Sequence, residues 1–306
     1  MRILHLDSGR EMRGGQHQVL LLLHGLQARG HEQTLLARAP LLDRWQGEKI
    51  SGPKIVQAAR GVDLVHAHDA RSHTLAALLC AGKPLVVSRR VAFPVKQSFL
   101  SRQKYARADR YLAVSEFVSM RLRDAGVSPV KIQVVYDGVA LPAGNVRQAA
   151  PTKSTNSPLK IVTPRLDDPL KHGALAQQAC DAADASLVFS DDLAADLPAA
   201  DAFLYLSESE GLGSAILLAM ANRVPVIASR AGGILEIVEH EVTGLLVQNE
   251  MQAIADAIRR LHAGPESARL WAERAYHRVS TEFTDDIMVR QTEHAYHTVL
   301  GLNPSP

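Results

Sequence analysis

The chain has 306 residues, 46% of them apolar, which is enough for two domains of about 150 residues with separate cores. Its net charge of +2 gives no indication of a nucleic-acid partner, and no aromatic and basic platform is evident. The N-terminus lacks the pattern of a secretory signal, and the longest apolar run, Val19 to Leu26, is too short to span a bilayer, which predicts a cytoplasmic protein. Cys80 and Cys180 lie in separate predicted helices, so neither a disulfide nor a cysteine metal site is favoured.

The first half of the chain alternates between predicted strands and helices. A strand at Arg2 to Leu6 is followed by a helix at Gln16 to Arg29, which Gly30 ends, and by a strand at Gln33 to Ala37. Further buried strands are predicted at residues 63–67, 84–88 and 110–114, with helices at residues 72–80 and 117–125. This order is typical of a parallel sheet covered by helices.

Residues 141–158 are predicted to be a linker, because they carry three Pro and several small polar residues without periodicity. Strands are predicted after it at residues 160–163, 186–189, 202–206 and 225–228, and three final helices at residues 251–262, 265–283 and 285–300. We therefore predict an N-terminal domain at residues 1–145, a linker at 146–158, a C-terminal domain at 159–284 and a separate last helical segment at 285–306.

The segment from Ser207 to Gly233 constrains function more than any other. It reads as a strand end, an acidic turn with glycines, an apolar helix, a buried strand and a second glycine-rich turn. Glu210 and the helix start fall at the carboxyl edge of the predicted sheet, where α/β proteins bind ligands and helix N-termini attract phosphate. The substrate-binding residues predicted in the two turns are Gly211, Leu212, Gly213, Ser214, Gly232, Gly233 and Glu236.

Two patterns in the first domain also predict substrate binding. Gly14 and Gly15 lack Cβ atoms, so a diphosphate can approach the backbone there and at Gln16, where a helix starts. The alternative is a plain strand-to-helix turn. Arg89 and Arg90 end a predicted strand and could hold an acidic acceptor group, such as a phosphate or a sugar carboxylate.

The sequence DLVHAHD, residues 63–69, ends another strand. Alternation places His66 and His68 on the same face of that strand. His-x-His is also a common pair of metal ligands, but the positions of Asp69 and His73 do not fit the spacing of metallohydrolases. We therefore predict no metal site, and the plainer alternative to a substrate contact is a hydrogen-bonded histidine at a strand end.

In this order and over most of the chain, these motifs resemble those of family-4 glycosyltransferases. The resemblance implies an α/β protein of the GT-B fold, with two Rossmann-like domains facing a central cleft and the last helix packing back on the first domain. In residues 161–173, IVTPRLDDPLKHG, it implies that Arg165 and Lys171 neutralise the diphosphate of a nucleotide sugar as the glycosyl bond breaks. It further implies that Glu210 lies beside the donor sugar and that His68 orients the sugar or the acceptor. The nucleotide sugar is the donor substrate, and neither a cofactor nor a metal is implied.

The chain departs from the family pattern in two places. The family has a second Glu at the position of Leu218, where it binds the nucleotide ribose. Leu cannot accept hydrogen bonds, and a lost hydrogen bond to a charged group costs about 1.5–3 kcal/mol. The segment from Lys171 to Ala202 is also shorter than in the family, where this region helps to hold the base. Nucleotide recognition is therefore expected to be weakened or rearranged.

The stretch from Lys96 to Arg123 interleaves Lys and Arg with Phe99, Leu100 and Tyr105 on predicted helices. A basic amphipathic face of this kind suits an anionic membrane surface and a lipid-linked acceptor. The alternative is an ordinary solvated helix face.

The leading hypothesis is a glycosyltransferase that moves a hexose-type sugar from a nucleotide-diphosphate sugar to a cell-surface glycan or glycolipid precursor. The family implies retention of anomeric configuration. No carboxylate pair like that of a retaining glycosidase is evident, which fits a reaction in which the leaving diphosphate helps to take the acceptor proton. Two alternatives stay open: a catalytically silent protein of this fold that binds a partner transferase or senses a sugar nucleotide, and a sugar-nucleotide epimerase.

Overall fold

The structure is a computed structural model that describes residues 1–96, 98–142, 158–165 and 171–302. It divides into two compact units, of which the first joins Met1–Gly138 to the C-terminal residues from Asp285 onward and the second is Val139–Thr284. The first unit thus ends at Gly138 and not at residue 145, and the last helix belongs to it. The predicted linker at residues 146–158 lies, apart from Pro158, outside the described residues.

The first unit is built on a parallel sheet of seven strands. The strands are β1 (Arg2–Leu6), β2 (Glu32–Leu36), β3 (Glu48–Lys49), β4 (Leu64–Ala67), β5 (Leu85–Arg89), β6 (Arg110–Ala113) and β7 (Ile132–Val134). Their order across the sheet is β3-β2-β1-β4-β5-β6-β7, so the direction of winding reverses between β1 and β4. The carboxyl ends of these two strands form a topological switch point, where open α/β sheets bind ligands.

The helices of this unit cover the sheet and meet the C-terminal helix. They are α1 (Gly14–Ala28), α2 (Leu41–Arg44), α3 (Ile55–Gly61), α4 (Ala70–Leu79), α5 (Phe99–Arg107), α6 (Glu116–Asp124) and, at the C-terminus, α12 (Asp285–Leu300). Helix α12 packs closely on α1, because a Cβ atom on Gly25 would come within 2.4 Å of the Val289 side chain. Glu293 of α12 also accepts a hydrogen bond at 2.8 Å from Arg29, the residue that follows α1.

The second unit contains a parallel sheet of five strands. The strands are β8 (Lys160–Pro164), β9 (Ser186–Ser190), β10 (Ala202–Tyr205), β11 (Val226–Ser229) and β12 (Leu245–Val247), and the helices are α7 (Gly173–Ala182), α8 (Leu193–Asp196), α9 (Ser214–Ala221), α10 (Met251–Ala263) and α11 (Pro265–Glu282). The order β12-β11-β10-β8-β9 reverses between β8 and β10, which gives this sheet its own switch point. Among the described residues, each unit thus has one sheet edge at which a ligand is expected to bind.

Helix α5 has an exposed apolar surface. Phe99 and Leu100 are 72% and 78% exposed, and Arg102 is exposed on the same short helix. Lys104 and Arg107 donate hydrogen bonds to backbone carbonyls of α4 and of the turn after it. These two members of the predicted basic face therefore hold α5 against α4. Within the described ranges, every helix is too short or too polar to cross a bilayer.

Candidate active site

A polar cluster lies at the switch point of the second sheet. Lys171 Nζ donates hydrogen bonds to the Tyr205 hydroxyl at 2.9 Å and to Ser207 Oγ at 3.3 Å, and it forms an ion pair with Glu210. The Tyr205 hydroxyl donates in turn to Glu210 Oε2 at 2.6 Å. Lys171 and Glu210 are each 17% exposed. Two of the four residues predicted to act in catalysis, a cation and a carboxylate, are therefore held together, and they lie just before α7 and α9 respectively.

Two glycine turns pack on each other beside this cluster. The Gly211 N–H donates to Glu210 Oε1, and the Gly233 N–H donates to the Glu210 carbonyl, both at 3.0 Å. A Cβ atom on Gly232 would lie 2.2 Å from the Glu210 carbonyl oxygen, and one on Gly233 would lie 2.0 Å from that of Gly211. Gly213, which precedes α9, has a φ of +99°, a conformation that favours glycine. The packing of the turns itself therefore requires these glycines, with or without a ligand.

Two polar side chains tie together the carboxyl ends of the neighbouring strands. Ser229 Oγ accepts from the Ser207 N–H at 2.9 Å and donates to the Asn249 amide. The Asn249 side chain donates to the Ser207 carbonyl at 3.1 Å. These bonds link β10 to β11 and to the turn after β12. They hold the residues before Glu210 in place.

Arg165 has different hydrogen-bond partners from those of Lys171. It follows β8, and its Nε lies 3.1 Å from both carboxylate oxygens of Asp191, while one Nη atom donates to the Phe189 carbonyl at 3.0 Å. Its side chain is 55% exposed and that of Asp191 is 77% exposed. Exposed ion pairs of this kind contribute little to stability. The guanidinium can therefore be redirected to an anionic ligand at small cost.

The other residues of this unit that were predicted to bind substrate lie at α9 and in the turn after β11. Leu212 is buried, Ser214 begins α9, and Leu218 is half-buried on the same helix. Glu236 ends a short 3-10 turn, where its carbonyl accepts a hydrogen bond from Arg278 at 2.8 Å. Leu212 thus serves the core, whereas Ser214 contributes one of the free N–H groups of a helix start.

Three buried imidazoles lie at the switch point of the first sheet. His5 of β1 is paired in register with His66 of β4, and His68 follows directly after β4. The ring centroids of His66 and His68 are 3.9 Å apart, which confirms that they share a face. His66 Nδ1 lies 2.6 Å from the Tyr296 hydroxyl and its Nε2 lies 2.8 Å from Ser88 Oγ, while His5 Nδ1 lies 2.9 Å from His68 Nε2. Burial lowers the pKa of all three, that of His5 to about 3, so they are neutral near pH 7.

The histidine cluster is close enough to be considered as a metal site, since one nitrogen of each ring lies within 4.8 Å of the others. Two nitrogens on a tetrahedral zinc ion are separated by roughly 3.3 Å. His5 and His68 are at the shorter hydrogen-bond distance of 2.9 Å, and both nitrogens of His66 already have partners. Burial lowers the pKa of His68 most, and the positive charge of Arg90 lowers it further; the same charge would repel an added cation. The cluster fits a hydrogen-bonded network better than a metal centre.

The glycine-rich loop before α1 is organised by Asp7. Its carboxylate accepts hydrogen bonds from a loop N–H at 2.8 Å and from Gln16 Nε2 at 3.2 Å, and burial raises its pKa. Gln16 is thus held in position at the helix start. Gly14 is the first residue of α1, and a Cβ atom on Gly15 would meet nothing closer than Arg90 Cδ at 3.9 Å. The described part of the protein therefore leaves the space above Gly15 open.

The two arginines after β5 differ in their partners. Arg89 is 9% exposed, and it donates to the Tyr105 hydroxyl at 2.9 Å and to the Phe93 carbonyl. Arg90 Nε donates to Asp137 at 3.0 Å and lies beside the open glycine loop. Each guanidinium keeps one buried nitrogen without a partner among the described residues. Arg89 holds the loop after β5, whereas Arg90 is the better placed to meet a ligand.

Sequence patterns did not identify several residues of these clusters. His5, Asp7, Tyr205, Ser207 and Asn249 each lie at or just after the carboxyl end of a strand. The sequence could have indicated them only as polar side chains at predicted strand ends. Such a pattern identifies a position at the ligand-binding edge of the sheet, but it does not identify the residue that the side chain contacts.

Comparison with known proteins gives a consistent assignment for both units. The model of the family described as Glycosyltransferase Family 4 matches residues 12–141, and that of Glycosyl transferases group 1 matches residues 187–278. Curated relatives include the N-acetyl-alpha-D-glucosaminyl L-malate synthase of Bacillus anthracis, 38% identical over 111 residues, and the amylovoran biosynthesis glycosyltransferase AmsK of Erwinia amylovora, 36% identical over 102 residues. These matches cover 36% and 31% of this chain but only 29% and 25% of the relatives.

A solved structure matches almost the whole chain. Anabaena Alr3699/HepE in complex with UDP and glucose aligns with a TM-score of 0.82 at 19% identity, over 97% of this chain and 100% of that one. Together with the two parallel sheets, this likeness identifies the fold as GT-B. Since one family model falls in each unit, the chain belongs to the family-4 glycosyltransferases, as its motifs predicted.

Proposed function

We propose that this chain is a nucleotide-sugar-dependent transferase that moves a hexose-type sugar, with retention of anomeric configuration, to a cell-surface glycan or glycolipid precursor. The observation that carries the proposal is the cluster of Lys171, Tyr205 and Glu210 at the switch point of the second sheet. It combines a cation for a leaving group with a fixed carboxylate for a sugar, and Glu210 lies just before the start of α9. Membership in the family supports the same chemistry.

The donor diphosphate would bind between Lys171 and the start of α9. The first N–H groups of a helix have no partners within the helix, and Gly213 offers no side chain to cap them. Lys171 Nζ lies at the same strand edge, and Arg165 can leave its exposed ion pair to join it. Both cations would stabilise the negative charge that grows on the diphosphate as the glycosyl bond breaks.

Glu210 would fix the donor sugar by accepting hydrogen bonds from its hydroxyl groups. Its carboxylate is oriented by Tyr205 and by the Gly211 N–H, so little reorganisation is needed when the sugar arrives. In the first unit, His68 would orient the sugar or the acceptor. The leaving diphosphate would help to take the acceptor proton, because none of these residues forms the carboxylate pair of a retaining glycosidase.

The comparisons suggest which substrates to test first. A uridine diphosphate hexose is the first donor to test, because the HepE structure is a complex with UDP and glucose. A polysaccharide precursor is a reasonable acceptor, since one relative carries the name of an amylovoran biosynthesis glycosyltransferase. The exposed Phe99 and Leu100, with Arg102 beside them, would let α5 rest on an anionic membrane that carries a lipid-linked acceptor.

The decisive experiment measures donor turnover by the wild type and by Lys171→Met. We expect UDP-hexose turnover in the wild type and a decrease in kcat of about 100-fold or more in the variant, the cost of removing one charge-stabilising donor. Lys49→Met is the matched control, because Lys49 is exposed on β3 of the first unit. Full turnover by a folded Lys171→Met protein would refute the role of this cluster.

Leu218 supports a second candidate function, a catalytically silent protein that senses a sugar nucleotide or binds a partner transferase. Without the ribose carboxylate, nucleotide affinity is expected to be low. Calorimetry with UDP, GDP, ADP and dTDP separates the two functions when it is combined with turnover. Binding without turnover in the presence of acceptor extracts would favour the silent protein.

A further inference from the structure

Ser207, Ser229 and Asn249 form a closed ring of three hydrogen bonds at the carboxyl edge of the second sheet. The Ser207 N–H donates to Ser229 Oγ at 2.9 Å, the Ser229 hydroxyl donates to Asn249 Oδ1, and Asn249 Nδ2 donates to the Ser207 carbonyl at 3.1 Å. Ser207 and Ser229 are fully buried, and Asn249 is half-buried. This serine–asparagine ring therefore ties the residue Ser207, just after β10, to the turn after β12, the outermost strand of the sheet.

The backbone of Ser207 fixes the direction of every bond in the serine–asparagine ring. A backbone N–H can only donate and a carbonyl can only accept. Because Ser229 Oγ accepts from the Ser207 N–H, its own proton is available for Asn249 Oδ1. The other end of the Asn249 amide faces the Ser207 carbonyl, which only a donor can satisfy. Position 249 therefore requires a side chain that carries one acceptor and one donor.

The side chain of Ser207 connects the serine–asparagine ring to Lys171. The Lys171 ammonium has three protons, and its three partners are the Tyr205 hydroxyl at 2.9 Å, Ser207 Oγ at 3.3 Å and the Glu210 carboxylate. Ser207 Oγ donates its own proton to the Ser209 carbonyl at 3.1 Å, so it faces Lys171 as an acceptor. The Ser207 contact is the longest of the three, and a phosphate oxygen can replace it most easily. The position of Ser207 therefore helps to set the direction of the ammonium group.

We propose that Asn249 is a positioning residue, which holds Ser207 so that the Lys171 ammonium is directed at the leaving diphosphate of the donor. The diphosphate part rests on the proposed function. Asn249 acts through Ser207 and needs no contact of its own with the donor. The sheet order β12-β11-β10-β8 places two strands between the turn that carries Asn249 and the segment that carries Lys171, and the hydrogen bonds of Ser207 span this distance.

The first test uses the full chain without substrate, labelled with ¹³C at the Cε atoms of lysine. The Lys171 signal, assigned by its absence from Lys171→Met, reports the surroundings of the ammonium group. Asn249→Asp keeps the size of the side chain, but at about pH 7.5 it sets a carboxylate oxygen against the Ser207 carbonyl, and the Lys171 signal should shift. Burial and the facing carbonyl should raise the pKa of the new carboxyl group. At about pH 5.5 its O–H should donate to Ser207 and return the Lys171 signal to the wild-type position.

Two further variants and one measurement on the wild type complete this test. Asn222→Asp is the matched control, because Asn222 Nδ2 also donates to a backbone carbonyl, that of Leu218 at 2.8 Å. It should leave the Lys171 signal unchanged at both pH values. Ser229→Ala removes a single oxygen atom from the serine–asparagine ring and should shift the Lys171 signal at both pH values, since nothing titrates. In the wild type, one Nδ2 proton of Asn249 should exchange slowly with water, because it is bonded to a buried carbonyl.

Three results would overturn the inference. The first is an unchanged Lys171 signal at about pH 7.5 in a folded Asn249→Asp or Ser229→Ala protein. The second is a shift in Asn249→Asp that persists at about pH 5.5, since it would contradict the assigned direction of the bonds. The third is rapid exchange of both Nδ2 protons of Asn249 in the wild type, which would be decisive even if no variant folds.

Transfer kinetics separate this inference from the proposed function. If UDP-glucose supports transfer, Asn249→Asp should lower kcat at least several-fold at about pH 7.5 and change the KM for the donor less than about two-fold, because Lys171 acts on charge that grows in the transition state. The deficit should close at about pH 5.5. Equal kcat in the wild type and in folded Asn249→Asp would overturn the positioning role. If no donor supports transfer, the proposed function fails, while the Lys171 signal still decides whether Asn249 positions the ammonium group.

Discussion

Neutral buried histidines should make the stability of the first unit depend on pH, and His73 provides the sharpest test. It lies on α4 at 1% exposure, its Nε2 is 3.2 Å from the Lys104 carbonyl, and its ring meets those of Tyr105 and Tyr111 edge-on at 5.1 and 5.8 Å. Burial, followed by the positive charge of Lys104, lowers its pKa to about 3. The perturbation is His73→Phe, which keeps an aromatic ring but cannot titrate.

The expected magnitude follows from proton linkage. An unfolded histidine has a pKa of about 6.5, so below that pH the unfolded chain binds more protons than the folded one and stability falls as pH falls. Between about pH 7.5 and about pH 5, His73 alone should cost about 2 kcal/mol. His73→Phe loses a hydrogen bond worth about 1 kcal/mol, but it also avoids the loss of stability that the wild type suffers as the pH falls. It should therefore be less stable than the wild type at pH 7.5 and more stable at pH 5, with the two curves crossing at about pH 6.

Urea unfolding at several pH values measures this crossing. Trp45 belongs to the first unit and Trp271 to the second, so a Trp271→Phe background lets fluorescence report the first unit alone. Val118→Ala is the control, because it removes fully buried apolar atoms and should lower stability equally at every pH. If the free energy of unfolding changes equally with pH in the wild type and in His73→Phe between pH 7.5 and pH 5, the reasoning about the buried neutral imidazole is wrong.

Three further predictions concern the candidate site and the surface of α5. Tyr205→Phe removes the hydroxyl that donates to Glu210 at 2.6 Å, and kcat/KM for donor turnover should fall about 10–100-fold, the equivalent of about 1.5–3 kcal/mol. Leu218→Glu should tighten UDP binding in calorimetry by about 10–100-fold, since it supplies a charged acceptor where the family binds ribose. Phe99→Ser with Leu100→Ser should abolish sedimentation with anionic vesicles, because these side chains are 72% and 78% exposed.

Each of these variants has a matched control. Tyr276→Phe removes a hydroxyl elsewhere in the second unit, and an equal loss in both tyrosine variants would argue against a specific role of Tyr205. Leu218→Gln has nearly the length of Leu218→Glu without its charge, and UDP affinity that stays flat in both folded variants would place the ribose elsewhere. Leu235→Ser with Leu270→Ser changes leucines that are 49% and 48% exposed on the second unit, and vesicle binding that survives the α5 change would refute the membrane contact.

Local patterns predicted much of the fold because they depend on neighbours in sequence. The last helix was expected at residues 285–300 and spans Asp285–Leu300, and strand alternation put His66 and His68 on one face. The glycine and acidic motifs identified the family, since their order along the chain can be read without coordinates. The same patterns did not predict that the first compact unit ends at Gly138, because chain composition around residues 141–158 does not reveal where the packing changes.

The sequence by itself therefore determined the alternation of strands and helices, the family and most of the residues that carry charge at the two sheet edges. Only the tertiary structure decided their partners: Lys171 with Glu210, Arg165 with Asp191, and His5 with His68. It also showed that glycines expected to face a ligand are needed for two turns to pack. The physical reason is that a strand's neighbours in a sheet are set by long-range packing, and residues far apart in sequence meet only where strand ends are brought side by side.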